Sequence, residues 1–553
     1  MKLQTKKAVF KAVFLSIALG LTLSTGFAQQ QKKPNIILIL VDDLGFSDTG
    51  PYGANEIQTP NLNELAQGGL KLKEFYNNSI CAPTRASVLT GQYQHKAGVG
   101  YFNVNLGLPA YQGFLNKESL TLAEVLRNGG YSTLMSGKWH VGDDKDQWPN
   151  QRGFDKFFGF IGGASNYYEI GNRDKPTVPL IKNNKPVYIE PGKYLTDEIT
   201  NNALEFITDQ DKEKKPFFLY LAFNAPHWPL QALPADIEKY KEAYKIGWDS
   251  LRKQRHQNAI KAGVISADQK IAEHDQLVKP WSKLTYDEQQ YWQLRQAVFA
   301  AIIDHVDQSI GKLRSKLKEL KKDDNTLIIF ISDNGAQGGN ATRPYTQRTT
   351  ETVGAPGSYE TQNSNWSQTG NSPLRNYKAT PYEGGISAPF IAWYPAKIKA
   401  GTIKKGTGHI IDLAPTFYEL AGAKYPTDFN GVKTNPLAGQ SLLPLLTGTA
   451  NEIQRTQPLA WERGGNKAIR DGKWKLISIA SNEGKYELYD IEKDRAENND
   501  LAAKNPEIVA KLKAKYDEWA KRNDVVEYET LRPKALAQPT RTGQSPATRE
   551  RRN

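Results

Sequence analysis

One cysteine in 553 residues leaves no intrachain disulfide to form. The seven histidines fall into no His-Glu-x-x-His or paired Cys/His spacing, which removes the usual zinc centres. Past Ala28 no run approaches the roughly 20 apolar residues that a bilayer span requires, so no stable membrane anchor is expected. There is no internal repeat, and low complexity is confined to the C-terminal tail, which argues against a solenoid or a fibre. A shortage of apolar residues is not the problem either: 39% hydrophobic against 24% charged is a globular balance, so disorder is not the default. The net charge of +13 invites a nucleic-acid reading. However, Lys2, Lys6, Lys7 and Lys11 lie in the leader, and Arg532, Lys534, Arg541, Arg549, Arg551 and Arg552 lie in the tail. The body is therefore only weakly basic, and no nucleic-acid partner is expected.

The leader itself is informative. Basic residues, then an apolar run over 13–23, then a small-residue ending at Ala28 make the three parts of a signal peptide, residues 1–28. The expected protein is exported by a Gram-negative-type signal and is periplasmic or secreted.

Four apolar runs end directly in polar or ionisable residues. Asn35–Val41 leads into Asp42 and Asp43, Thr326–Ser332 into Asp333 and Asn334, 217–223 into Asn224 and His227, and 131–135 through Ser136 and Gly137 to Lys138 and His140. Uninterrupted apolar runs of this length suit strands buried on both faces of a mostly parallel sheet. Helical patterns at 61–67 and 119–127 alternate with them. The expected fold class is α/β, a large mostly parallel mixed sheet sandwiched by helices, with ligands at the carboxyl ends of the strands.

The reading divides the chain into a catalytic domain over 34–455, a small C-terminal α+β subdomain over 456–530 and a basic disordered tail over 531–553. Within the first, a polar helical insertion spans about 230–296 and a long amphipathic helix starts at Ala297. A Gly/Asn/Thr-rich stretch, 336–376, follows Asp333 and Asn334 and should border the site.

Asp42, Asp43, Asp333 and Asn334 offer only oxygen, and acidic pairs at two neighbouring strand ends repel unless a cation lies between them. A hard divalent ion suits that set, calcium before magnesium. His140 and His227 each follow a buried strand, whereas His95, His256, His274 and His305 have no supporting pattern. Lys378, taken alone, reads as a solvated loop lysine.

The lone thiol sits in Cys81-Ala82-Pro83-Thr84-Arg85, followed by Ala86-Ser87-Val88-Leu89-Thr90-Gly91. Pro83 suits a first helical turn and Gly91 a C-terminal cap, so Cys81 meets a helix N-terminus. Backbone N–H groups and Arg85 one turn on would attract an oxyanion there.

This Cys-x-Pro-x-Arg run with its following Leu-x-Gly resembles the signature of type I, formylglycine-dependent sulfatases of the alkaline-phosphatase-like superfamily. Segments around Asp42, Lys138, His227, Asp333 and Lys378 are in sulfatase order, and the entry to the insertion is similar to the bacterial, Pseudomonas-type arylsulfatases. The resemblance implies that Cys81 is oxidised to Cα-formylglycine by a formylglycine-generating or anaerobic sulfatase-maturating enzyme. It implies that Asp42, Asp43, Asp333 and Asn334 bind calcium, that Arg85 steadies the formylglycine, and that Lys138, His140, His227 and Lys378 surround the sulfate. A hydroxyl of the hydrated aldehyde would attack sulfur, with His227 the acid for the leaving alcohol and His140 the base that releases sulfate. Ser165 aligns only loosely and stays outside the site. The substrate expected is a small-molecule or glycan sulfate ester, aryl or sugar. A phosphonate monoester or phosphodiester hydrolase of the same superfamily, and an inactive exported glycan-binding protein, are the alternatives.

Overall fold

Asn35–Val41 (β1) alternates its side chains between two cores. Ile37, Ile39 and Val41 enter one, and Ile36, Leu38 and Leu40 the other. Each such buried aliphatic side chain contributes about 1.5–3 kcal/mol, and period-two geometry makes both faces apolar at once. The structure, a computed structural model, describes residues 32–168, 180–339, 352–482 and 484–537. The signal-peptide reading and residues 538–553 lie outside the described residues.

The strands that follow are Leu70–Leu72 (β2), Ser132–Lys138 (β3), Lys156–Phe160 (β4), Leu180–Lys182 (β5), Lys185–Val187 (β6), Phe217–Ala222 (β7), Thr326–Ser332 (β8), Phe390–Trp393 (β9) and Thr402–Lys404 (β10). They form one ten-stranded sheet in the order β10-β2-β9-β8-β1-β7-β3-β4-β5-β6. Its centre, β8-β1-β7-β3-β4, is parallel throughout. β9 and β5 run antiparallel on its two sides, and β6 pairs antiparallel with β5. The mixed α/β sandwich is thus the fold observed.

Helices cover both faces. Leu195–Asp211 (α4) and Tyr286–Glu319 (α6) pack on one core. Cys81–Thr90 (α2), Leu122–Asn128 (α3), Leu413–Ala421 (α7) and Pro506–Arg522 (α8) pack on the other. Pro60–Gln67 (α1) and Gly247–Lys261 (α5) complete the larger helices before α6.

Three boundaries differ from the sequence reading. α6 begins at Tyr286, eleven residues before Ala297, because Thr285 and Glu288 close a capping box there. β3 runs on through Lys138, because Lys138 pairs with Phe160 in β4. The helix expected over 119–127 begins at Leu122, behind a capping box of Thr121 and Glu124.

The C-terminal region is a four-stranded antiparallel sheet, Leu459–Arg463 (β11), Asn466–Asp471 (β12), Trp474–Ser478 (β13) and Tyr486–Asp490 (β14), with α8 against it. β11 was not anticipated. Tyr528–Ala537 (α9) carries ordered helix past 530, burying Leu531 and Ala535 with Tyr101, Leu106 and Tyr111, so a disordered tail cannot start at 531. Among the described residues, those from Pro34 onward form one unit.

Candidate active site

Cys81 is the first residue of α2, Ile80 caps it in an extended conformation, and Gly91 ends it in the left-handed region at φ 67°. Cys81 is 2% exposed yet belongs to none of the apolar clusters. Its electrostatic neighbours are Lys138, Lys378, Asp42 and Asp333. Burial, more than any of these, pushes its thiol up, so the unmodified sulfur is not a thiolate nucleophile.

The parallel centre of the sheet delivers the other groups. Hydrogen bonds continue past the strand ends, from Asp42 N to Ala225 O at 2.9 Å and from Asp333 N to Val41 O at 3.0 Å. His140 N likewise bonds Ile161 O at 2.9 Å. Asp42, Asp43, Asp333 and Asn334 therefore come together with Lys138, His140 and His227, all of them buried.

Their contacts form a charge-balanced cluster. Arg85 Nη2 lies 2.9 Å from Asp333 Oδ2 and 3.5 Å from Asp42 Oδ2. Lys138 Nζ donates to Asp42 Oδ2 at 2.5 Å, and Lys378 Nζ to Asp43 Oδ1 at 2.6 Å. Asn334 Nδ2 donates to the same Asp43 oxygen at 2.6 Å. Lys378 is thus a site lysine, not the solvated loop residue its local sequence suggests. Its loop folds inward because Gly335 and Gly384 touch: a Cβ on Gly335 would stand 1.7 Å from Gly384 O.

Burial opposes charge on Asp42, but Lys138 foremost, with His227, Arg85 and Lys378, holds its carboxyl far below the usual range. Asp333 moves the other way, pushed up by burial and by the charge of Asp42. Burial opposes the Lys378 ammonium, and the Asp43 carboxylate together with Cys81, Asp42 and Asp333 more than restores it.

Burial also drives both histidines to the neutral form, His140 well below its ordinary value and His227 to about 4, with Lys138 reinforcing the effect. His227 Nδ1 lies 2.6 Å from the carbonyl of Trp228, which can only accept, so the proton of the neutral ring is on Nδ1. Its Nε2 then presents a lone pair to Asp43 Oδ2 at 3.6 Å. A lone pair facing a carboxylate is repulsive unless a cation or proton intervenes.

Other atoms make the same point. Asp42 Oδ1, Asp43 Oδ2 and Asn334 Oδ1 are buried with no hydrogen-bond partner. Ligand atoms of Asp42, Asp43 and His227 lie within 4.8 Å of one another. Buried oxygens of this kind ordinarily find partners, and an oxygen-rich set without them fits a hard cation. Asp333 differs: its two oxygens take Arg85 and, at 3.3 Å, the N–H of Asp43.

Asp43 and His140 occupy the left-handed region at φ 67° and 64°. Such positions cost about 1–3 kcal/mol each and recur at functional sites. His140 is also held by a glycine the sequence analysis passed over. A Cβ on Gly163 would stand 2.3 Å from His140 Nε2. The Gly162-Gly163 doublet was the available signal. Ser165, left out of the site, has a buried hydroxyl with no partner, beside Asn224, whose amide donates to Ser165 O at 3.1 Å.

A mostly parallel sheet with an anion-attracting helix end and a cluster of buried carboxylates and cations at its carboxyl edge defines an ester hydrolase of the alkaline-phosphatase-like class. The chain belongs to the sulfatase family: the Sulfatase description matches residues 34–423, and that of the N-sulphoglucosamine sulphohydrolase C-terminal region matches 377–522. An uncharacterized sulfatase of Schizosaccharomyces pombe is 35% identical over 87% of this chain and 92% of its own. An arylsulfatase of Klebsiella aerogenes is 33% identical over 79% and 96%. Among solved structures, Ps i-CgsB in complex with k-i-k-neocarrahexaose superposes at TM-score 0.68 with 28% identity, covering 93% of this chain and all of that one. The protein is a sulfatase, a hydrolase of sulfuric esters.

Proposed function

We propose that this sulfatase cleaves sulfate monoesters of aryl or sugar alcohols at residue 81, with Cys81 converted to Cα-formylglycine and a calcium ion held by Asp42, Asp43, Asp333 and Asn334. The observation that carries the reading is the position of Cys81, first in a buried helix, outside the apolar cores and within electrostatic reach of Lys138, Lys378, Asp42 and Asp333. Three unpartnered carboxyl and amide oxygens support the metal, with magnesium second to calcium. When bound, the ion supplies positive charge that favours an ionised hydroxyl and an anionic substrate.

The side chains divide the remaining work. Asp42, Asp43 and Asp333 already offset Arg85, Lys138 and Lys378, so a divalent cation leaves the site net positive and suited to a sulfate ester. Arg85, Lys138, Lys378 and the N–H groups of the first turn of the helix bind the sulfuryl oxygens and hold them as charge redistributes. His140, neutral with an unpartnered Nδ1, takes the proton of the second hydroxyl once the first carries the sulfuryl group, so that sulfate leaves and the aldehyde is restored. His227 stands on the leaving-group side with Lys378. Its Nδ1 proton is committed to Trp228 O, so donation from Nε2 requires a proton gained as the anion binds.

Conversion of Cys81 by a formylglycine-generating or anaerobic sulfatase-maturating enzyme belongs to the same reading, as does export with cleavage before Gln29. The test is mass spectrometry of the Cys81 peptide alongside turnover of 4-nitrophenyl sulfate and of a phenyl phosphonate ester. Loss of sulfur from Cys81 with sulfate turnover dominant is expected. An active protein with an intact thiol, or sustained turnover by Cys81→Ser, would sink the formylglycine assignment, and dominant phosphonate turnover would move the substrate to the rival class.

A further inference from the structure

His140, the base of the proposed release step, is oriented by packing. A working imidazole is ordinarily fixed by a hydrogen bond at the nitrogen it does not use. Here Nδ1 is buried with no hydrogen-bond partner. Two neighbours close on the ring instead. Gly163 lies against Nε2, where a Cβ would stand at 2.3 Å, and Phe102 meets the imidazole edge-on, with ring centroids 5.0 Å apart and planes at 86°.

Phe102 is held in turn from the far end of the chain. Residues 101–110 contain no helix or strand, so side-chain packing has to fix them. Tyr101, the residue before Phe102, stacks on Tyr528 of α9, with centroids 6.0 Å apart and planes at 22°. Tyr101, Leu106, Ala110 and Tyr111 form a small apolar cluster with Leu531 and Ala535 of α9, and Phe102 packs against both this cluster and the larger core beneath α2. Leu531 and Ala535 are each 2% exposed. The chain leading into α9 is pinned to the same region: Val526 N donates to Tyr111 Oη at 3.0 Å, and Lys96 Nζ to Asp524 Oδ2 at 2.6 Å. Two consecutive residues thus link the C-terminal helix to a site histidine, Tyr101 facing the helix and Phe102 facing the ring.

We propose that Phe102 is a positioning residue for His140 and that α9 holds Phe102 in place, so that the C-terminal helix governs the rate at which sulfate leaves the enzyme. The proposal rests on the role given above to His140. The groups assigned to grip the sulfuryl oxygens do not depend on this segment: Arg85, Lys138 and Lys378 are anchored on Asp333, Asp42 and Asp43. A loosened α9 therefore acts on the second step. In that step the remaining hydroxyl gives its proton to His140, the C=O bond of the aldehyde forms, and the C–O bond to the sulfate breaks, the sulfate departing with the electron pair. Proton transfer demands hydrogen-bond reach, so a displaced imidazole slows release and leaves attack on the ester intact.

Phe102→Ala, Tyr528→Ala and Leu531→Gln are compared with wild-type protein and with Leu531→Met. Amide hydrogen exchange over residues 99–116 is expected to rise in Tyr528→Ala and Leu531→Gln; unchanged exchange separates α9 from the segment and overturns the proposal. With 4-nitrophenyl sulfate, slowed release is expected to lower kcat about tenfold and KM with it, so that kcat/KM stays within about twofold. A burst of nitrophenol should precede the steady state while a sulfated residue-81 peptide accumulates in the mass spectrum. Leu531→Met should behave as wild type. Loss of active protein alone lowers kcat with KM unchanged and no burst, and that pattern in all three variants overturns the positioning role. So does raised exchange with unaltered kinetics, which would leave α9 a purely structural brace. Failure of the underlying reading shows differently, as wild-type protein that keeps its Cys81 thiol or releases no sulfate, and it removes the kinetic claim whatever the exchange data.

Discussion

Arg85 Nη2 and Asp333 Oδ2 are 2.9 Å apart across 248 residues of chain, and neither side chain has any exposure to solvent. The pair ties the helix that begins at Cys81 to the end of β8, so one contact sets both the proposed reactive residue and a proposed metal carboxylate. Removing the guanidinium leaves Asp333 and Asp42 facing each other. Arg85→Met should lose about 3–5 kcal/mol of stability in denaturant titration, because an uncompensated buried charge remains. It should also lose at least about a hundredfold in kcat/KM, as the proposed oxyanion donor disappears. An Arg85→Met protein as stable as wild type would show that the pair does not bear on the fold.

Cation binding can be read without turnover. Calcium should raise the melting temperature, reaching about 2.7 kcal/mol of added stability at a hundredfold excess over its dissociation constant, with magnesium weaker. Asp43→Asn and Asn334→Ala should each blunt the shift. EDTA should abolish sulfate release and added calcium restore it. Identical melting curves with and without calcium would remove the metal from the site.

A second buried network braces the Lys378 loop from the C-terminal sheet. Lys475 of β13 reaches Glu383 at 2.9 Å and Glu497 at 2.8 Å, with no exposure of the three side chains, and Arg495 adds a bond to Glu383 at 3.1 Å. Glu497 also accepts from the Glu383 N–H at 2.8 Å. Lys475→Met should cost about 3–5 kcal/mol by stranding two carboxylates. Adding Glu497→Gln should recover part of it, with a coupling of about 0.5–3 kcal/mol in the double-mutant cycle. Additive losses would mean that the two side chains do not share an environment.

The pH dependence of stability should carry the mark of His305. Burial works against its charge, but the Asp197 carboxylate 3.2 Å from Nε2 and the hydrogen bond to Asp236 at 2.8 Å outweigh it and lift the imidazole from 6.5 to about 9. A raised folded-state value means that the protonated ring stabilises the fold. That contribution is complete below pH 6.5 and is lost as pH climbs through about 9. Wild-type melting temperature should therefore fall across this window more steeply than that of His305→Gln. Parallel curves would contradict the assignment.

Much of the site was readable from the chain because burial leaves a local trace. β1, β7 and β8 are uninterrupted apolar runs, and the polar residues that end them, Asp42, Asp43, His227, Asp333 and Asn334, stand out by contrast. β11 left no such trace: it is five residues long and ends Trp461-Glu462-Arg463. The start of α6 was legible after all, in Thr285-x-x-Glu288, but the polar composition around it obscured the signal.

The amino-acid sequence by itself determined the alternating α/β class, the polar ends of the central strands and the cysteine at a helix start, since each depends on residues a few positions apart. Tertiary structure alone decided that Lys378 meets Asp43, that Gly163 makes room for the His140 ring, that Glu383 is clamped by Lys475, and that Tyr359 packs against Trp228. Those contacts join segments tens to hundreds of residues apart, and close packing between distant backbones has no signature in local hydropathy.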